Sequence, residues 1–169
     1  DSWSWARLKY ISDTQTGTTP STSNPNNFGD YIPFIKPGDI LNGRVNYFNE
    51  GLSTEGIKSG RLINSGSILM VCIGGSLGKC VLTDRNVSCN QQINTATPYQ
   101  SISPLYLYYS LDSDYFYKTA KYNATGTATP IINRGLWENI LIPIPPKSEQ
   151  ERICLKIKKM FQCIEKDEN

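Results

Sequence analysis

Apolar positions are spread unevenly along the chain, and their spacing predicts where regular structure forms. Trp3, Trp5, Leu8 and Ile11 make an apolar opening. Residues 14–28 are then dominated by Thr, Ser, Asn, Gly and Pro, whose side chains offer the backbone local partners, and they predict a long loop. Residues 31–35 read as a short strand that Pro33 confines to an edge or an end, followed by a turn at Lys36-Pro37-Gly38-Asp39. Residues 42–60 are again loop-like. Ser67-Ile68-Leu69-Met70-Val71-Cys72-Ile73 is a near-continuous apolar run of strand length, which suits a strand covered on both faces. Gly74-Gly75-Ser76-Leu77-Gly78 turns the chain, residues 79–83 return it, and residues 87–96 add a further extended segment.

Helical signals dominate the second half. Ser103 before Pro104 is an N-cap with proline at the first helical position. Leu105, Tyr108, Tyr109, Leu111, Tyr115 and Phe116 supply the apolar spacing of one helix or two short ones through about Tyr122, and residues 124–130 end it. Residues 136–142 predict a strand that stops at Pro143-Ile144-Pro145-Pro146, a stiff exit that marks a boundary. Ser148 and Glu151 then form a capping-box pattern, so a helix is expected from Ser148. In it Ile153, Ile157, Met160 and Ile164 step by four, three and four, a coiled-coil seam that Phe161 widens. About two heptads are visible where about three or four identify a sustained coiled coil, so packing back onto the domain stays open.

Composition narrows the chemistry. The 169 residues suit one domain with an appended element, and 38% hydrophobic against 19% charged residues suits a folded chain with a core. Seventeen Lys+Arg against 15 Asp+Glu leave a net charge of +2, so any basic surface must come from distribution. The chain has no histidine, which removes Ser-His-Asp and Cys-His pairs, imidazole-bound zinc and the usual neutral-pH base. A self-contained hydrolase is not expected. Cys72, Cys80, Cys89, Cys154 and Cys163 form no Cys-x-x-Cys pair and read as reduced thiols of a cytoplasmic protein. No stretch approaches the roughly 20 apolar residues of a membrane helix, and the first residues lack the pattern of an export signal. The start at Asp1, together with a helical pattern that runs to the last residues, reads as a piece of a longer protein.

The glycine-rich turn before Lys79 fails as a phosphate loop, because Ile73 holds the place of the first glycine and Cys80 that of the metal-binding hydroxyl. The aspartates Asp30, Asp39, Asp84, Asp112 and Asp114 sit in turn or helix-end contexts and take no catalytic role. Tyr106, Tyr108, Tyr109, Tyr115, Tyr117 and Tyr122 could stack on bases or sugars, although at helical spacing they more often build core and a half-buried rim. What remains is a set of polar loops with interspersed cations, over residues 14–27, 42–61, 90–94 and 121–134. Asn and Gln can bond adenine, Arg can bond guanine, and hydroxyls or Lys can hold phosphate, so this inventory suits reading a duplex groove.

The ordered set of motifs resembles the specificity subunit of type I restriction-modification enzymes, namely one target recognition domain followed by the start of a spacer helix. It comprises Trp5 and Leu8 leading to Gly17-Thr18-Thr19-Pro20-Ser21, then Ile32-Pro33-Phe34-Ile35-Lys36-Pro37-Gly38-Asp39-Ile40. Next come Ser67-Ile68-Leu69 with Gly74-Gly75-Ser76-Leu77-Gly78-Lys79, Asn90-Gln91-Gln92-Ile93, and Ile142-Pro143-Ile144-Pro145-Pro146 with Glu149-Gln150-Glu151-Arg152-Ile153. The resemblance spans nearly the whole chain and implies a DNA-binding subunit without catalytic activity. In that family two recognition domains separated by long helices read a bipartite site. A methyltransferase subunit docks on the helices and methylates adenine from S-adenosylmethionine, and a restriction subunit adds ATP-driven translocation and cleavage, so S-adenosylmethionine, ATP and Mg²⁺ would belong to partners. The departure is the missing second recognition domain, which leaves a truncated chain, a half-size subunit that pairs through its terminal helix, or a domain of a fused enzyme.

The resulting expectation is an α/β (α+β) fold with a curved mixed or antiparallel sheet between Ile32 and Ile142, a few helices, and a coiled-coil-type helix at the C-terminus. Residues 1–146 form the recognition domain and residues 147–169 the start of the spacer or dimerisation helix. Lys36, Lys58, Ser76, Lys79 and Lys121 are candidates for phosphate positioning, and Arg44, Arg61, Gln91, Gln92, Asn123, Thr125 and Arg134 for base-edge contact, with Gln91 and Gln92 alternatively pairing backbone in the sheet. Ile153, Ile157, Met160, Phe161 and Ile164 are the candidate helix interface. The partners are double-stranded DNA, the methyltransferase and restriction subunits and a possible second half-subunit, with no membrane. A carbohydrate- or protein-binding β-rich module with an aromatic platform is the rival reading, and a nuclease or thiol enzyme ranks third.

Overall fold

A computed structural model describes residues 3–167, with side chains described through Ile164. The expected apolar run forms β7 (Ile68–Val71), every residue of which is buried. It is flanked by β10 (Ile93–Pro98) and β8 (Cys80–Leu82), and β2 (Ser12–Thr16) completes an antiparallel sheet in the order β2-β10-β7-β8. Alternation along β7 builds two cores at once. Ile68, Met70 and the following Cys72 join the cluster with Leu8, Leu107, Phe116 and Trp137, whereas Leu69 and Val71 join Ile35, Ile63, Val87 and Ile93 on the opposite face. A strand apolar on both faces is thus what this position requires.

The helical side of the sheet is covered by α1 (Leu8–Ile11), α3 (Pro104–Leu111), α4 (Asp114–Asn123) and α5 (Arg134–Trp137). The helical stretch after Ser103 divides in two because Ser113 starts a second helix, its hydroxyl accepting from the Phe116 N–H at 3.2 Å, as Ser103 accepts from Tyr106 at 3.4 Å. On the other side, β3 (Phe28–Ile35) lies between β6 (Gly51–Leu52) and β9 (Ser88–Cys89), antiparallel to the first and parallel to the second. A hairpin of β4 (Ile40–Leu41) and β5 (Arg44–Val45) turns through Asn42 and Gly43, both at positive φ. A short helix α2 (Gly56–Ser59) follows β6, and β1 (Ser4–Arg7) pairs antiparallel with β11 (Leu141–Ile144).

Three expectations are corrected. Among the described residues the sheet is not one curved surface from Ile32 to Ile142 but four small sheets, and β1 and β2 lie before Ile32. Residues 14–28 are not all loop: β2 is a polar edge strand, whose partner β10 supplies the apolar face that β2 lacks. Residues 136–142 are not one strand. The Asn133 side chain accepts from the Leu136 N–H at 2.9 Å and starts α5, which buries Trp137 completely, edge-on to Phe116 with centroids 6.4 Å apart. The strand then begins at Leu141 and tolerates Pro143 because β11 has a single neighbour.

The terminal helix α6 (Lys147–Asp167) starts one residue before Ser148, its first turn closed by the Glu149 and Gln150 N–H groups on the Pro146 carbonyl at 2.9 and 3.0 Å. The expected Ser148–Glu151 capping box does not form, because the helix begins at Lys147 and places Ser148 inside its first turn rather than at the N-cap. Gln150 is the anchor. Its buried amide accepts from the Ser103 N–H at 2.9 Å and donates to the Pro145 carbonyl at 3.1 Å, tying α6 to the start of α3. Ile153 and Ile157 are half-buried beside a cleft of about 390 Å³ with Trp3, Trp5 and Tyr109, while Met160, Phe161 and Ile164 are exposed. The seam therefore packs back at its first two positions and is uncovered at the last three. Among the described residues no helix is long and apolar enough to cross a membrane.

Candidate nucleic-acid interface

Several of the polar loops meet along one rim of the central sheet, joined by backbone hydrogen bonds. The Cys72 N–H donates to the Gln92 carbonyl at 2.9 Å and the Ile132 N–H to the Cys72 carbonyl at 3.0 Å. The Gly74 N–H reaches the Pro130 carbonyl at 2.8 Å, and Thr125 and Ile131 exchange two bonds of 2.8 Å across the mouth of an exposed loop. On the other flank the Thr18 N–H donates to the Cys89 carbonyl at 2.9 Å. The Gly74–Ser76 turn, residues 125–134, residues 90–92 and residues 17–19 thus form a single tethered surface.

Side chains extend this network. The Thr19 hydroxyl donates to Gln91 Oε1 at 2.6 Å and Arg61 Nε to Thr18 Oγ1 at 3.1 Å. Arg134 donates to the Thr14 carbonyl at 3.0 Å and lies 3.6 Å from the Glu138 carboxylate, which also accepts from Thr14. Asn90 links to Gln92 twice, accepting from its N–H and donating to its Oε1, both at 3.1 Å. Between these groups lies a cleft of about 360 Å³ whose floor includes Asn94, buried on β10, with Oδ1 taken by the Thr16 hydroxyl at 2.8 Å. Rigid tethering of this kind fixes donors before a ligand arrives, so less ordering entropy opposes binding.

The candidates divide accordingly. Arg61, Ser76, Gln91, Gln92, Thr125 and Arg134 share the rim. Lys79 and the hairpin tip beside Arg44 flank a smaller cleft that also contains Asp112, a carboxyl raised by burial and partly lowered again by Tyr108. Lys121 lies over the Tyr117 ring at 5.8 Å, and Asn123 spends its amide on the Thr119 carbonyl at 2.8 Å within α4. Lys36 and Lys58 form ion pairs with Glu50 and Glu55. Thr18, Thr19 and Asn94 belong to the surface without having been singled out. Their only signal is a polar residue at an inward strand position and hydroxyls beside a glycine. The tyrosines follow the core-and-rim pattern, with Tyr106 buried and bonded to the Pro143 carbonyl and Tyr122 exposed.

A family model described as "Type I restriction modification DNA specificity domain" matches residues 1–169. The chain belongs to that family. It is 33% identical over 168 residues to the type I restriction enzyme HindI specificity subunit of Haemophilus influenzae, covering 97% of this chain and 36% of that protein. It is 26% identical over 156 residues to the MjaIX specificity subunit of Methanocaldococcus jannaschii, covering 89% of this chain and 36% of the relative. The chain therefore spans about a third of the length of these specificity subunits. Two solved structures share the fold: a chain of a type I R-M system (TM-score 0.77, 20% identity, 96% of this chain and 39% of that one) and the HsdS subunit from Thermoanaerobacter tengcongensis (TM-score 0.75, 18% identity, 96% and 38%).

The buried thiols of this specificity-domain chain are far from activated. Burial pushes Cys72 and Cys89 each up to about 12, with the Asn94 amides pulling against it at Cys72, and burial also raises Cys80 well above the ordinary thiol value. A nucleophilic cysteine needs the reverse shift. Among the described residues no group of three or more Cys, Asp or Glu side chains gathers as metal ligands.

Proposed function

We propose that this chain is the DNA-reading unit of a type I specificity subunit, presenting the rim around the Asn94 cleft to a duplex groove. The observation that carries this reading is the network itself, in which amide, hydroxyl and guanidinium groups from four separate segments are held on one rigid edge by backbone bonds. Such groups read base edges, while Lys79, Arg44 and Lys121 at the flanks supply sequence-independent attraction to phosphate. The chain performs no bond chemistry in this account. A methyltransferase subunit supplies adenine methylation with S-adenosylmethionine and a restriction subunit the ATP- and Mg²⁺-dependent cleavage, all in the cytoplasm. Met160, Phe161 and Ile164 then serve as the surface for a second spacer helix or a second half-subunit, which completes a bipartite site.

The test is selection of bound duplexes from a random library, with the methyltransferase partner present. Recovery of one short consensus supports the reading. Recovery of unselected sequence, or binding that ignores salt between 50 and 200 mM where about six to ten phosphate contacts would cost about 10³–10⁵ in affinity, overturns it in favour of a carbohydrate- or protein-binding surface.

A further inference from the structure

We infer that the cleft between residues 91–94 and 131–134 reads the keto edge of a base, guanine O6 and N7, and rejects adenine there. This rests on the DNA-reading proposal and adds which edge is read. Free Asn and Gln side chains suit adenine because each offers one acceptor and one donor to N7 and N6. Here each amide oxygen already takes one bond and keeps a single lone pair. Gln91 Oε1 takes the Thr19 hydroxyl, Asn94 Oδ1 takes the Thr16 hydroxyl, and Gln92 Oε1 takes Asn90 Nδ2.

The orientation at Gln92 is the firmest of the three. A backbone N–H can only donate, so the Gln92 N–H fixes Asn90 with Oδ1 toward it and Nδ2 outward, and that Nδ2 in turn fixes Gln92 Oε1 as acceptor. The Gln92 NH₂ group is left as a donor. At the cleft floor Asn94 Nδ2 has no hydrogen-bond partner although the residue is only 2% exposed. The Cys72 thiol beside it is a weak acceptor and itself donates to the Met70 carbonyl at 3.3 Å. A buried unpaired donor is costly, and a ligand acceptor entering the cleft removes that cost.

The cleft therefore offers more donor than acceptor capacity, because the amide oxygens are each half occupied while Asn94 Nδ2 and the Gln92 NH₂ group are not. An adenine N6 amino group or a cytosine N4 amino group would meet donors head-on, whereas guanine offers two acceptors and no donor on its major-groove edge. Phosphate shares the acceptor chemistry but fits less well. Ile73, Ile131 and Ile132 form an apolar wall, and the Arg134 charge is already offset by Glu138. Desolvating a phosphate against that wall lacks a compensating free cation.

The experiment compares duplexes selected from a random library by the full chain and by Gln92→Ala, Gln92→Glu and Asn94→Leu, each first shown to melt cooperatively like wild type. Wild type should recover a consensus with a guanine position. Gln92→Ala and Asn94→Leu should lose about tenfold discrimination at that one position, and Gln92→Glu, which replaces a donor by an acceptor, should turn it toward adenine or cytosine. A consensus unchanged in all three variants overturns the inference and leaves the DNA-reading proposal standing. A loss uniform across sequences assigns the donors to phosphate and also overturns it. If wild type recovers no consensus, both fall.

Discussion

Gly17 is the point at which a single methyl group should dislodge the proposed reading surface. It follows β2 and crosses the backbone of residues 89–90, where a Cβ would lie 2.1 Å from the Asn90 carbonyl oxygen and 2.4 Å from that of Cys89. Both obstacles are main chain, so no side-chain rotation relieves them. Gly17→Ala must push the two segments apart, straining the 3.0 Å bond from the Gly17 N–H to Ile93 and the 2.9 Å bond from Thr18 to Cys89. Overpacking of this kind costs about 1–3 kcal/mol. For a chain of this size about 1 kcal/mol moves the melting temperature by about 2–4 °C, so a fall of roughly 5 °C is expected by calorimetry. Thr18 and Thr19 move with Gly17, so Arg61 and Gln91 lose their partners and affinity for the selected duplex falls as well. Gly38→Ala is the control, because it lies outside the rim, nothing lies within 4 Å of its Cβ and it is not at positive φ. It should stay within about 0.5 kcal/mol of wild type. Equal melting temperatures and equal DNA affinities for the two variants would refute the close-approach argument.

Other outcomes follow from the same structure. Lys79→Ala should lower the slope of log affinity against log salt by about one, while Lys58→Ala, on α2 outside the proposed rim, should leave it unchanged. Gln150→Ala removes a buried amide that accepts from Ser103 and donates to Pro145. Orphaning those groups costs about 1–3 kcal/mol each and should loosen α6, read as faster hydrogen exchange along residues 147–157 without loss of the central sheet. A thiol reagent at neutral pH should label Cys163 quickly and leave Cys72, Cys80 and Cys89 untouched in the folded chain, with five reactive thiols after denaturation. Because burial raises the folded pKa of Cys72 and Cys89 to about 12, unfolded thiols lose their protons first. Stability is then full below about pH 8.5, the free-thiol value, and declines as pH rises toward 12.

The sequence carried the apolar skeleton of this fold well and its polar edges poorly. β7 was readable because a strand buried on both faces is apolar at every position, and α3 because Ser103-Pro104 carries a cap, whereas the apolar spacing left one helix or two open and the Ser113 cap that divides α3 from α4 went unread. β2 was hidden, since Ser12-Asp13-Thr14-Gln15-Thr16 looks like loop until β10 is placed beside it. The stretch from Leu136 to Ile142 misled for the opposite reason: its apolar residues serve a short helix and then a strand, and Trp137 belongs to a core assembled from residues far away in sequence. In the candidate site, the loops that carry Gln91, Gln92 and Arg134 could be named, but their convergence rests on main-chain bonds such as Cys72 to Gln92, which no side-chain pattern records. The pairing of Lys36 with Glu50 was equally invisible, because the two meet only across the β3 neighbourhood.

The central claim is that a duplex lies against the rim joining residues 17–19, 74–79, 90–94 and 125–134. Hydrogen–deuterium exchange of the full chain, with and without its selected duplex, addresses it directly. The account predicts slowed exchange in those four segments together, with the α2 surface around Lys58 unchanged. Protection confined to α6 or to the α2 side, with the four segments exchanging as they do without DNA, would contradict it.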